Sequence, residues 1–133
     1  RRRIGALLVL ERGIPLGDVM DRGVELSTRL TTDILLTVFN TASPLHDGAM
    51  IARGNTVGAV ACILPLASYQ ALPASFGTRH RAAVGVTEET DALALVVSEE
   101  KGEIRCASGG KLSEPLGQEE LTELLVKKWV GRQ

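Results

Sequence analysis

Three short segments gather most of the side chains that could do chemistry. Pro44-Leu45-His46-Asp47-Gly48-Ala49 sets a histidine and an aspartate side by side, ahead of two residues without bulk. The pair offers a metal ligand or a base, and Gly48 and Ala49 let a ligand approach the main chain. Asp47-Gly48 reads equally as turn chemistry before a strand. Gly77-Thr78-Arg79-His80-Arg81 places three potentially cationic residues where a helix should begin. A helix start already presents unpaired N–H groups and a positive dipole end, and arginine forks add bidentate contacts to phosphate oxygens. Cations there are locally unfavourable unless an anion answers them, or unless Glu88 and Glu89 pair with them. Val97-Ser98-Glu99-Glu100 ends a very apolar run with a hydroxyl suited to phosphate and carboxylates suited to a divalent cation, or simply with a polar hairpin turn. Together these are the parts of a metal–nucleotide site. No Walker A, GxGxxG, HExxH or GxSxG motif accompanies them.

Composition removes several alternatives. The 133 residues suit one domain, large enough to bury a core. A formal net charge of -1 supplies no global field for a nucleic-acid duplex. Aromatic residues are 3% of the chain, too few for a platform that stacks single-stranded bases, so a nucleic-acid partner is not expected. Cys62 and Cys106 stand 44 positions apart with no CxxC pair, which predicts two buried thiols and neither a zinc site nor a disulfide framework. No apolar run approaches the roughly 20 residues that cross a bilayer. The chain starts at Arg1-Arg2-Arg3 without methionine, which predicts a domain excised from a longer protein.

These segments need elements to hold them. Ile4–Leu10 reads as a buried strand, and Ile14–Glu25 as irregular. Ser27–Phe39 is expected to be a helix capped by Ser27 or Thr28, with Leu30, Ile34, Leu35 and Val38 on one face. Ala49–Ala52 and Thr56–Leu64 flank Gly54-Asn55 as a hairpin. After a loop over Pro65–Phe76, a helix begins near Thr78, weakened by Gly85. Ala92–Ser98 and Glu103–Ala107 form a second hairpin, and a short strand follows Gly109-Gly110. Leu116–Val130 is an amphipathic helix, with Glu119 and Glu120 early, Lys127 and Lys128 late, and Gly131 ending it. Hairpins interleaved with helices predict an α/β (α+β) class. The sheet should be mixed and contain antiparallel pairs, with helices on both faces.

Asp47-Gly48-Ala49, followed some thirty residues on by Gly77-Thr78-Arg79-His80-Arg81, resembles the DGA and RHR motifs of the diadenylate cyclase domain. The likeness extends to Ile4-Gly5-Ala6-Leu7 with Glu11-Arg12, to Leu64-Pro65-Leu66, and to Glu88-Glu89-Thr90-Asp91 with Val97-Ser98-Glu99-Glu100. It covers roughly residues 4 to 125 and is closer to the membrane-anchored CdaA type than to the DNA-scanning DisA type. The resemblance implies condensation of two ATP into cyclic di-AMP with release of two pyrophosphates. It also implies a divalent metal, Mg2+ or Mn2+. By the same likeness Asp47 is metal ligand and possible base, while Arg79 and Arg81 contact phosphate. Gly48 and Ala49 lie against the nucleotide, Leu64 packs near adenine, and Thr78 and Ser98 offer hydroxyls. Gly77, His80 and Glu99 complete the nucleotide set. Glu100 and His46 join Asp47 at the metal.

A product with two equivalent halves suits two subunits face to face, each holding one ATP. A homodimer is therefore expected, on the cytoplasmic side of a bacterial membrane, with any anchor in segments outside this chain. A catalytically silent nucleotide-binding or regulatory module is the alternative. Two stretches depart from the family pattern: Asn40-Thr41-Ala42-Ser43, and Ser68 to Phe76, where the family often has leucine in place of Phe76.

Overall fold

The computed structural model describes residues 4–68 and 72–129. The Arg1–Arg3 start, Tyr69-Gln70-Ala71 of the stretch from Ser68 to Phe76, and the expected helix end at Val130 and Gly131 lie outside them. The elements run β1 (Ala6–Leu10), α1 (Gly17–Met20), β2 (Val24–Arg29), α2 (Thr32–Phe39), β3 (Ala49–Arg53), β4 (Thr56–Cys62), α3 (Thr78–Glu89), β5 (Leu93–Val97), β6 (Ile104–Ser108), β7 (Lys111–Leu112) and α4 (Gln118–Lys128). The strands form a seven-stranded sheet ordered β2-β4-β3-β1-β5-β6-β7. Only β1 and β3 pair in parallel; the remaining pairs are antiparallel. This is the mixed α/β sheet expected.

Strand alternation distributes the core onto both faces. Leu7 and Val9 of β1 pack with Ala82, Ala83, Val84 and Val86 of α3 and with Val19 and Met20 of α1. Ala6 and Leu8 turn the other way, toward Ile34, Leu35, Val38 and Phe39 of α2. Leu10 joins Leu93 and Cys106 beneath Leu124 and Leu125 of α4. Both cysteines are free and buried, as expected, and burial pushes the Cys62 thiol up to about 11.

The expected helix over Ser27–Phe39 is the main correction. Val24–Arg29 is an edge strand paired with β4 through Val24↔Val60 and Thr28↔Val57. The helix starts only at Thr32, with Thr31 Oγ1 accepting from the Ile34 N–H at 3.1 Å. Sheet pairing and the burial of Leu26 against the α2 cluster override the local helical pattern. The segment read as irregular holds α1 and the start of β2. Leu116 is not helical either; it bridges to Ile104, and α4 begins at Gln118, where the Gly117 N–H donates to Glu120 Oε1 at 2.9 Å.

Candidate active site

The strand directions decide what gathers at one end of the sheet. β1 runs parallel to β3 and antiparallel to β5, so Ala6 pairs with Val97 while Leu8 pairs with Met50. The same sheet end therefore collects Gly5, Asp47-Gly48 before β3, Cys62 at the end of β4 with Ile63 and Leu64 after it, and Ser98 to Glu100 after β5. The first turn of α3 closes this end. A cleft of about 730 Å³ results, lined among others by Asp47, Gly48, Gly77, Thr78, Arg79, His80, Ser98, Glu99 and Glu100. An apolar annex of about 270 Å³ adjoins it, lined by Leu7, Cys62, Ile63, Leu64, Leu66 and Ala82, and shares Gly48, Thr78 and Arg79 with the cleft. The three segments singled out in the sequence thus meet in one place.

Local backbone explains the Asp47-Gly48 corner. Gly48 has φ +85°, and a Cβ there would stand 2.7 Å from the Ala61 carbonyl carbon and 2.8 Å from the Cys62 carbonyl oxygen. Opposite it Ala61 has φ +56°, an uncommon value without glycine, where the β3–β4 register shifts between Ala49 and Ile51. Glycine is required because β4 presses against it. Asp47 is left with its side chain 87% exposed, its Oδ1 3.5 Å from His46 Nε2.

The structure places four of the expected site residues as follows. Ala49 is fully buried in the core and lines neither cavity. His46 also stands outside the cleft lining, with Nδ1 2.8 Å from the Ser43 carbonyl oxygen. Arg81 is buried, and its guanidinium donates to the Ser68 carbonyl at 3.2 Å and the Pro73 carbonyl at 3.0 Å. It fastens the β4–α3 loop to α3 and does not line the cleft. His80 does line it, but burial first, then Arg105 and Arg79, hold its pKa below the usual range. The imidazole is neutral near pH 7, so of the three potentially cationic residues Arg79 is the one that brings a guanidinium to the cleft.

Arg79 is built for that position. Nη1 lies 3.7 Å from Glu99 Oε1, and Nε is buried without a hydrogen-bond partner among the described residues. Its pairing is with Glu99 and not with Glu88 or Glu89. Gly5, not singled out individually in the sequence, lies against Arg79 and Glu99: a Cβ there would meet Arg79 Nη1 at 2.6 Å and Glu99 Cβ at 3.1 Å. Gly5→Ala should displace the guanidinium and lower kcat/KM by roughly 10- to 100-fold, the scale of an ångström misplacement in a site. The atom met most closely is the far end of the Arg79 side chain, and Glu99 Cβ need give by only a few tenths of an ångström, so the melting temperature should change little. Adding Gly5→Ala to Arg79→Ala should leave nucleotide affinity unchanged; a further loss would show that Gly5 does not act through Arg79.

Phe76, Lys101, Glu103 and Arg105 also line the cleft. Only Phe76 drew notice in the sequence, as a departure; nothing distinguishes a strand arginine such as Arg105 until β6 is placed beside β5. Among the described residues no three His, Cys, Asp or Glu side chains converge as a metal cage. Asp47 and Glu100 nevertheless border the same cleft. Their hard oxygens fit a magnesium-class cation, whose other ligands are ordinarily water and substrate phosphates.

Residues 1–112 match the family described as DAC, DisA bacterial checkpoint controller nucleotide-binding. The chain belongs to the DAC family. It is 44% identical to the cyclic di-AMP synthase CdaA of Bacillus subtilis over 125 residues, 94% of this chain and 46% of that protein. It is 41% identical to a diadenylate cyclase of Listeria monocytogenes over 130 residues, 98% of this chain and 48% of that protein. A crystal structure of a DacA double mutant from Staphylococcus aureus superposes with a TM-score of 0.92 at 42% identity, covering 96% of this chain and 85% of that one. A hypothetical membrane spanning protein from Bacillus cereus superposes with a TM-score of 0.80, also at 42% identity, covering 85% and 55%. The DAC domain thus spans about half the length of the curated relatives it matches.

Proposed function

We propose that this DAC domain condenses two ATP into cyclic di-AMP and releases two pyrophosphates. The observation that carries the reading is the single cleft in which the Asp47-Gly48 corner, the start of α3 and the Ser98–Glu100 turn meet, with an apolar annex beside them. The annex, bordered by Leu64, accepts a purine ring, and the polar cleft accepts ribose and phosphates. In each half-reaction the 3′-oxygen of one ATP forms a bond to the α-phosphorus of the other. The bond from that phosphorus to the bridging α,β oxygen breaks, and pyrophosphate leaves. Asp47, exposed at the rim, takes the hydroxyl proton. Arg79 and the N–H groups of the α3 first turn offset the charge gathering on the phosphoryl oxygens. Thr78 and Ser98 supply hydroxyls, although Ser98 Oγ already accepts from the Lys101 N–H at 3.2 Å. Arg81 positions the loop that leads into α3. Asp47 and Glu100 would hold Mg2+ or Mn2+ together with the triphosphate, and the cation when bound acidifies the attacking hydroxyl and offsets phosphoryl charge.

An exposed Asp47 at an open rim leaves room for a second nucleotide carried by a second copy of the chain. Two such clefts face to face, related by a two-fold axis, yield both new bonds. No described helix is long and apolar enough to cross a membrane. An anchor of the kind the Bacillus cereus relative's description implies would lie in other segments, with this domain on the cytoplasmic side.

Incubation with ATP and Mg2+ or Mn2+, followed by chromatography, tests the activity. Product formation supports it, and ATP binding without product would leave a silent binding module. Specific activity should fall on dilution as dimers dissociate. Activity per mole that stays flat down to concentrations where light scattering shows monomer would overturn the shared site.

A further inference from the structure

We propose that Arg105 is a phosphate-binding residue of this cleft, seated on the ring of Phe76 to receive the end of the triphosphate that leaves as pyrophosphate. The proposal deepens the cyclase reading and rests on it for the identity of the anion. Arg105 lies on β6, and its guanidinium carbon stands 5.0 Å from the centroid of the Phe76 ring. Nη1 donates to the Ser113 carbonyl at 3.0 Å, whereas Nη2 is 3.8 Å from Glu103 Oε1, beyond hydrogen-bond reach. The side chain is only 18% exposed. A guanidinium has five N–H donors in a fixed fork, so among the described residues one carbonyl and one distant carboxylate leave donors unmatched. Ring and carbonyl hold the fork in place, so an arriving phosphate need not order it.

The location favours the leaving end of the nucleotide. Phe76 immediately precedes Gly77, the N-cap of α3, and its ring also meets His80 at 5.1 Å between centroids. That helix start has no side-chain cap and no acidic residue in its first turn. Its N–H groups and the Arg105 fork therefore border the same part of the cleft.

The cleft as a whole is not basic. Arg79, Lys101 and Arg105 share it with Asp47, Glu99, Glu100 and Glu103. A bare anion gains little from that balance. A polyphosphate that arrives with its divalent cation is matched on both counts, carboxylates to the cation and arginine to the phosphate.

Calorimetric titration of the full chain with magnesium pyrophosphate, MgATP and AMP tests the assignment. Arg105→Met retains much of the apolar stem and removes the fork. It should weaken pyrophosphate and ATP by roughly 10- to 100-fold, the worth of a charge-assisted hydrogen bond, and leave AMP within about twofold. Arg105→Lys should fall between wild type and Arg105→Met. Phe76→Leu, which keeps an apolar side chain but deletes the ring face, should weaken the same two ligands less. Pyrophosphate affinity unchanged in Arg105→Met, or absent in the wild type, overturns the proposal. So does an equal loss for AMP, which would mark a structural role. ATP turnover by the wild type is followed alongside. If no cyclic di-AMP forms but pyrophosphate binding still depends on Arg105, the cyclase reading fails while the phosphate site stands.

Discussion

Asp47→Asn should lower cyclic di-AMP formation by about 10³-fold or more and leave the fold intact. The two halves of that expectation have separate causes. The side chain is 87% exposed, with His46 Nε2 3.5 Å from its Oδ1, so a carboxamide of equal size removes no packing. Surface substitutions of that kind ordinarily change stability by about 0.5 kcal/mol or less. The chemistry loses two things together. An amide cannot take the proton of the attacking hydroxyl, a contribution of roughly 10² to 10⁴ where a side chain serves as general base. It is also a poorer ligand for a hard cation, because it offers one neutral oxygen where the carboxylate offers two charged ones. The measurement is ATP conversion by chromatography at saturating Mg2+ or Mn2+, with a thermal melt on the same sample. Turnover within tenfold of wild type would remove Asp47 from the chemistry. A matching fall in melting temperature would instead assign the residue to the β3 corner.

The sequence showed where the chemistry gathers more clearly than which atoms take part. Asp47-Gly48, Thr78-Arg79 and Ser98–Glu100 do share a cleft, because turn residues and helix starts are marked by local chemistry that needs no partner. Ala49, His46 and Arg81 stand outside the cleft lining, and local sequence cannot show this because a residue's surroundings are a property of its neighbours. Arg79 and Arg81 are two positions apart on one helix, so they face different surroundings: one the cleft, the other the carbonyls of Ser68 and Pro73. Nothing in Arg-His-Arg says which is which. The edge strand β2 was hidden for a related reason. Val24–Arg29 pairs with β4, 27 or more positions away, and a window of a dozen residues sees only the helix that follows. Gly5 and Arg105 became legible only when β1 and β6 were laid beside the turn at Glu99.

Gly85→Ala is expected to destabilise this domain markedly, the opposite of what helix propensity alone requires. In the sequence Gly85 looks like a flaw in α3, and replacing a helical glycine with alanine on an open surface should gain about 1 kcal/mol. Here the sign reverses. A Cβ at position 85 would stand 2.1 Å from the Pro65 carbonyl oxygen, 3.0 Å from its carbonyl carbon and 3.1 Å from the Ala67 nitrogen. All three are backbone atoms, so no side chain can swing aside. The loop is pinned at that point by the Ala67 N–H donating to the Arg81 carbonyl at 3.0 Å and by the Arg81 guanidinium farther along. Either the loop lifts and loses those bonds, or α3 shifts off Leu7 and Val9 of the sheet. Overpacking of a fixed site costs roughly 1–3 kcal/mol and occasionally more, which exceeds the propensity gain. For a domain of this size the melting temperature should fall by several degrees, on the order of 5 °C or more. The same movement would carry Leu64 and Leu66 with the loop and reshape the apolar annex, so nucleotide affinity should fall below the melting point as well. A melt that rises, as helix propensity alone requires, would show that the loop is not seated on α3 and would detach the annex from the site.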